Sequence, residues 1–316
     1  MFLDTQVGTH LARTFLHPPR QPHHRTPENF GLDSSVTVLT CPDGTAIHTW
    51  LVLAQLADAT DATADGGPIP LAEASARGTV ILGHGIGLTK SASLRQARLV
   101  HDLGFNALLF DHRNHGKSGE YKHFDHLAAA YSQDVETCVD YARGLWPHLP
   151  VIAWGFSFST FITMYSLRLP AHRSDGVIFD SGPGLDFDRM FVRFPPTGFN
   201  LRGAAAKLAG RPGAADTFAR TTIDMLGATW PVDPSSTPAG QTPMLFLHGR
   251  DDPYIHLDDE ENLAGLYPEA LLAQVGGGHL DAIKKDPDGY AAAVRAFLAD
   301  VAPIRRIRVT AAATSA

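Results

Sequence analysis

The 316-residue chain contains only two cysteines, Cys41 and Cys138, too few and too isolated for a disulfide framework or a cysteine zinc site. It also lacks any surplus of positive charge. At a net charge of −7, a nucleic-acid or anionic-membrane partner is not expected, because both need a concentrated positive surface. No apolar run approaches the roughly 20 residues that cross a bilayer, so membrane insertion is not expected either. The first residues, MFLDTQVGTH, carry Asp4 and no basic stretch leading into an apolar run, so no secretory signal is read there. These absences predict a cytoplasmic protein. No P-loop lysine follows the glycines at 83–87, and no G-x-x-G continues them, which argues against a nucleotide site. Hydrophobic residues at 44% and charged residues at 19% are the balance of a globular chain with a core.

Residues 1–34 read as an irregular lead-in, dense in Pro and His from His17 to Asp33. Val36–Thr40 and Thr45–Leu53 are β-rich runs around CPDG, whose Pro-Asp-Gly chemistry predicts a hairpin turn. Residues 54–78 are small, acidic and Pro/Gly-rich and are expected to form a surface loop with at most a short helix. From Thr79 the rhythm changes. Short apolar runs recur at 79–82, 106–110, 151–154, 176–179, 244–247 and 270–275. Amphipathic stretches at 91–103, 124–145, 157–169 and 287–301 fall between or after them. Apolar strands alternating with helices predict an α/β fold, a mostly parallel sheet covered on both faces. The alternation breaks over 183–241, a segment rich in Phe that is too long for a plain connection and is expected to be a small lid. The core is therefore assigned to 35–182 and 242–302, with a frayed tail over 303–316.

Five strand ends carry unusual chemistry. The run VIAWGFSFST, 151–160, passes from an apolar strand through Gly155-Phe156-Ser157-Phe158-Ser159 into a helical stretch. Small residues, Gly155 and Ser159, stand two positions either side of Ser157, as a sharp strand-to-helix turn requires. TVILGHGIG, 79–87, ends a strand in His84-Gly85-Ile86-Gly87. FDHRNHGKSG, 110–119, places Asp111, Arg113 and His115 in one loop, and MLFLHGRDDPYI, 244–255, ends a strand in His248-Gly249 ahead of Asp251 and Asp252. Gly276-Gly277-Gly278-His279 follows the last apolar run, and its glycines leave room for an imidazole to swing over the sheet edge.

Together these motifs resemble the α/β-hydrolase superfamily, in particular its monoacylglycerol-lipase and serine-aminopeptidase-like branch. The resemblance covers residues of about 35–302 and rests on these motifs in the right order. It departs at Ser159, where the G-x-S-x-G elbow has its last glycine, and at Asn114, where D-x-R-G-H-G-x-S has its first. The resemblance implies Ser157 as nucleophile, His279 as base and Asp252 as acid, with Asp251 and Asp180 as alternative acids. It also implies an oxyanion hole from the N–H groups of Ile86 (or Gly87) and Phe158. His84 is expected to orient its loop, and Asp111, Arg113 and His115 to brace the site.

The implied activity is hydrolysis of an ester or thioester with a small to medium apolar acyl group, without cofactor or metal. His23, His24, His112, His115, His123 and His126 lack the convergent spacing of a metal site. The expected partner is a small-molecule acyl substrate. An acyltransferase, cyclase or lyase on the same fold is the alternative, and a receptor that lost turnover is a third.

Overall fold

The computed structural model describes residues 2–54, 76–169, 171, 174–194, 199 and 201–303. The expected loop at 54–78 and the tail at 303–316 therefore fall almost wholly outside the described residues.

Eight strands form one sheet: β1 (Ser35–Thr40), β2 (Ala46–Val52), β3 (Thr79–Leu82), β4 (Asn106–Phe110), β5 (Val151–Phe156), β6 (Gly176–Asp180), β7 (Met244–Gly249) and β8 (Ala270–Val275). Their spatial order is β1-β2-β4-β3-β5-β6-β7-β8. The hairpin β1–β2 and the β2–β4 pair are antiparallel, and every other pair is parallel. Strands β3 to β7 are buried along their whole length because helices cover both faces. Side chains alternate between the faces accordingly. In β4, Leu108 and Phe110 enter one core while Ala107 and Leu109 enter the other.

Helices α2 (Leu94–Asp102) and α10 (Pro287–Val301) cover one face, and α3 (Leu127–Leu145) and α4 (Phe158–Ser166) cover the other. The lead-in is not irregular throughout. Phe2–Leu16 form helix α1, burying Leu11, Ala12, Phe15 and Leu16 on one side. The stretch 183–241 is helical too, with α5 (Phe187–Arg193), α6 (Gly203–Ala209) and α7 (Pro212–Leu226) among its described residues. Two short helices, α8 (Leu257–Ala264) and α9 (Ala282–Lys285), flank β8. α1 lies against α7 with backbones nearly touching: a Cβ on Gly8 would come within 2.5 Å of the Ala214 carbonyl. Two segments about 200 residues apart in sequence thus share one apolar layer above the α3–α4 face. Among the described residues, no helix is long and apolar enough to cross a membrane.

Candidate active site

The candidate residues meet at the carboxyl ends of β5, β7 and β8, the edge at which parallel α/β sheets place their clefts. Ser157 follows β5 and precedes the first residue of α4, with φ 51° and ψ −121°. A non-glycine residue there costs of order 1–3 kcal/mol and persists only when its surroundings impose it. That turn projects the hydroxyl above the sheet. Ser157 Oγ donates to His279 Nε2 at 2.8 Å, and His279 Nδ1 donates to Asp252 Oδ2 at 2.8 Å. The other carboxylate oxygen of Asp252 accepts the backbone N–H groups of Tyr254 (2.8 Å) and Ile255 (3.1 Å). Burial alone would raise the Asp252 pKa. The hydrogen bond and charge of His279, with the two N–H groups, outweigh burial and hold it below the usual carboxylate value.

The two alternative acids are placed elsewhere. Asp251 is exposed at the surface of the same turn. Asp180 ends β6 fully buried, and its carboxylate accepts from the Tyr290 hydroxyl and from Ser181 Oγ (2.9 Å). Burial pushes its pKa up to about 6, only partly offset by those two donors. It has the wrong partners to orient His279.

The loop after β3 crosses beside the serine. A Cβ on Gly85 would lie 3.4 Å from Ser157 Cβ. Ile86 and Phe158 both border the cavity at Ser157. Phe158 is the first residue of α4, so its N–H has no acceptor within the helix. Histidines hold this loop in place. His84 Nδ1 donates to the Gly85 carbonyl (2.8 Å) and His84 Nε2 accepts the His112 N–H (3.1 Å). His115 Nδ1 donates to the Arg113 carbonyl (2.8 Å), and its Nε2 accepts the Gly87 N–H (3.0 Å). Burial lowers the pKa of both rings, that of His115 to about 4, so both stay neutral and can accept as well as donate.

The 110–119 loop is a brace. Arg113 is buried against Asp134 (2.8 Å) and reaches Asp43 in the β1–β2 turn (2.7 Å). Asp111 is paired with the buried Lys90 ammonium (2.5 Å), which also donates to His48 (2.8 Å), and with His23 (2.8 Å). Asn114 adopts φ 63°, a left-handed conformation that Asn tolerates better than most residues, which accounts for its place in a glycine position. The other departure has a partner as well. Ser159 Oγ is hydrogen-bonded to His112 Nε2 at 2.9 Å, and His112 Nδ1 faces Asp134 at 3.4 Å. The sequence held no sign that Ser159, His112 and Asp134 lie together beneath the turn.

Two cavities meet at His279. An apolar one of about 40 Å³ is bordered by Ser157, Ile86, Phe158, Met190, Phe191 and Phe194, with Phe15 at its edge. A larger one of about 660 Å³ lies along the loops 84–93 and 279–284 and carries polar and cationic groups, among them Arg25, Arg95 and Lys284. Of the phenylalanines in 183–241, Phe191 and Phe194 border the cavity at the serine, whereas Phe218 is fully buried in the apolar layer. Phe15 and Tyr254 were not among the predicted site residues. Tyr254 packs edge-on against the His279 ring at 4.9 Å. Phe15 was legible in principle, since Val7, Leu11 and Phe15 recur at four-residue helical spacing.

An eight-stranded, mostly parallel sheet with this strand order, bearing a serine on a strained strand-to-helix turn, decides the fold. The chain has the α/β-hydrolase fold. The family model for serine aminopeptidases, S33, matches residues 74–211. The uncharacterized protein YqkD of Bacillus subtilis (strain 168) is 27% identical over 237 residues, 70% of each chain. The Pyrococcus furiosus esterase Pf2001 superposes with a TM-score of 0.67 at 19% identity, covering 90% of this chain and 97% of its own. XC6422 from Xanthomonas campestris, an α/β serine hydrolase without a lid, gives 0.55 at 15% identity over 87% and 97% of the two chains. In this chain, residues 74–211 run from the strand before the Gly85 loop to the start of α7 and include Ser157.

Proposed function

We propose that the protein is a serine hydrolase that cleaves an ester or thioester of a small to medium apolar acyl group. The observation that carries this reading is the hydrogen-bonded series Ser157–His279–Asp252, with the serine on a strained turn at the mouth of an apolar cavity. His279 Nε2 takes the Ser157 proton as Oγ attacks the acyl carbonyl carbon. The carbonyl oxygen gains negative charge and is received by the N–H groups of Ile86 and Phe158. His279 then gives its proton to the departing alcohol or thiol, leaving an ester on Ser157. Water, deprotonated by the same imidazole, releases the acid and restores the serine. Asp252 keeps the imidazole in the tautomer with Nδ1 protonated and balances its charge when both nitrogens carry hydrogen.

The two cavities suit the two halves of such a substrate. The apolar side takes the acyl group, and the polar side gives the leaving group and water a path to His279. No step needs a cofactor. The segment 183–241 is assigned as the cap over the core formed by 35–182 and 242–302. The esterase among the solved structures supports the reaction class.

The test is turnover of p-nitrophenyl butyrate by the wild type and Ser157→Ala, with fluorophosphonate labelling of both. Labelling and turnover by the wild type alone support the reading. Labelling with a single equivalent of product shifts it to acyl transfer. A folded wild type that neither labels nor turns over overturns it.

A further inference from the structure

We propose that α1 is the end wall of the acyl pocket and that Phe15 limits the length of acyl chain the site accepts. The inference rests on the reading of Ser157 as the nucleophile and adds an element far from the catalytic motifs.

Phe15 is 4% exposed and borders the same cavity as Ser157 and His279. Its ring stands at 90° to that of Phe158, the residue after the serine, with centroids 5.8 Å apart. It meets Phe191, Phe194 and Phe218 edge-on at 5.8, 5.0 and 5.6 Å. The cavity on the serine side of this cluster, about 40 Å³, suits a short acyl group only. On the far side, Val7, Leu11, Phe199, Leu201 and Leu208 border an apolar groove of about 480 Å³ between α1 and α6. Leu11 and Phe15 are one helical turn apart on the same face of α1, so Phe15 stands between cavity and groove.

The wall is held firmly. Gly8 sits directly on the α7 backbone, Asp4 pairs with Arg211 (2.7 Å), and the Tyr131 hydroxyl donates to the Leu16 carbonyl (2.7 Å). An acyl chain therefore meets a fixed ring rather than a loose terminus. A smaller residue at position 15 lengthens the pocket toward the groove, and a larger one shortens it. Each methylene newly buried is worth about fourfold in affinity or in kcat/KM.

The experiment is a series of p-nitrophenyl esters from acetate to laurate with the wild type, Phe15→Leu, Phe15→Ala and Phe15→Trp. The expected result is an octanoate-to-butyrate ratio of kcat/KM that rises by about tenfold or more in Phe15→Ala, as two to four methylenes become buried. Phe15→Leu should raise it less, and Phe15→Trp should lower it. A ratio that does not follow residue size across the folded variants overturns the proposal. Should Phe15→Ala not fold, the Leu and Trp variants decide. Calorimetric binding of butyrate, octanoate and laurate to Ser157→Ala, with and without Phe15→Leu, reads the same limit without turnover. A chain-length shift there upholds the wall even if the serine proves inactive, and no shift rejects it even if the serine is active.

Discussion

The Ser159 hydroxyl occupies the space that a side chain at Gly83 would need: a Cβ there would lie 2.3 Å from Ser159 Oγ. Gly83 follows β3 and Ser159 lies in the first turn of α4, just after the adjacent strand β5, and the two divide one small volume between them. Glycine at the end of β3 makes room for serine in the elbow, and His112 supplies the hydrogen bond that a buried hydroxyl requires. The departure from G-x-S-x-G is thus accommodated by a neighbour rather than by a distorted turn.

Gly83→Ala should therefore destabilise the protein by about 1–3 kcal/mol, the usual range for overpacking. Ser159→Gly in the same chain should recover part of that loss, so the two changes should be non-additive. A double-mutant cycle by urea denaturation checks this, and strict additivity would contradict the shared volume.

Asp252→Asn should lower kcat by about 10⁴-fold, because an amide in place of the carboxylate favours the wrong imidazole tautomer. Asp180→Asn should leave kcat close to wild type, since Asp180 contacts Tyr290 and Ser181 rather than His279. Steady-state kinetics of the two variants decides between them. A larger loss in Asp180→Asn would reassign the acid.

Stability should fall as pH rises through the range set by Asp180. Its carboxyl, raised by burial from 3.8 to about 6, is protonated in both folded and unfolded chains below the lower value. Above the higher value it is ionised in both, and the folded state alone bears the charge in a dry site. The difference is at most about 3 kcal/mol, lost between roughly pH 4 and pH 6. Asp180→Asn removes this titration, so the Tm difference between variant and wild type should grow over that window. A difference independent of pH would show that Asp180 does not titrate there.

Ser157→Gly should abolish activity yet raise Tm above that of Ser157→Ala. Glycine takes up φ 51° and ψ −121° without the strain that either side chain incurs, a gain of about 1 kcal/mol. Thermal unfolding of the two variants gives the comparison. Equal Tm values would mean that the turn stores no strain.

Much of the site could be read from the chain because its residues sit at the ends of strands. The candidates Ser157, Asp252 and His279 each follow an apolar run and a turn that contains glycine, and such local grammar survives without any knowledge of contacts. The strands themselves were equally plain, since burial on both faces leaves unbroken apolar runs such as VIAW and MLFL. The choice between Asp252 and Asp180 was less accessible. Both end a strand, and only their partners, His279 for one and Tyr290 for the other, tell them apart.

What the linear order of residues contains is local: periodicity, turn chemistry and the succession of strand and helix that leads to this sheet. What it does not contain is which distant surfaces meet. The apolar stripe of α1 was present in Leu11, Phe15 and Leu16, but the Pro- and His-rich stretch after it drew the whole lead-in toward an irregular reading. Its helix gains most of its stability by packing, and the surface it packs on lies about 200 residues away in α7. The Gly83–Ser159 exchange of volume and the Phe15 wall arise in the same way. Each depends on the distance between side chains from different elements, a quantity that comes into being only when the sheet and its covering helices assemble.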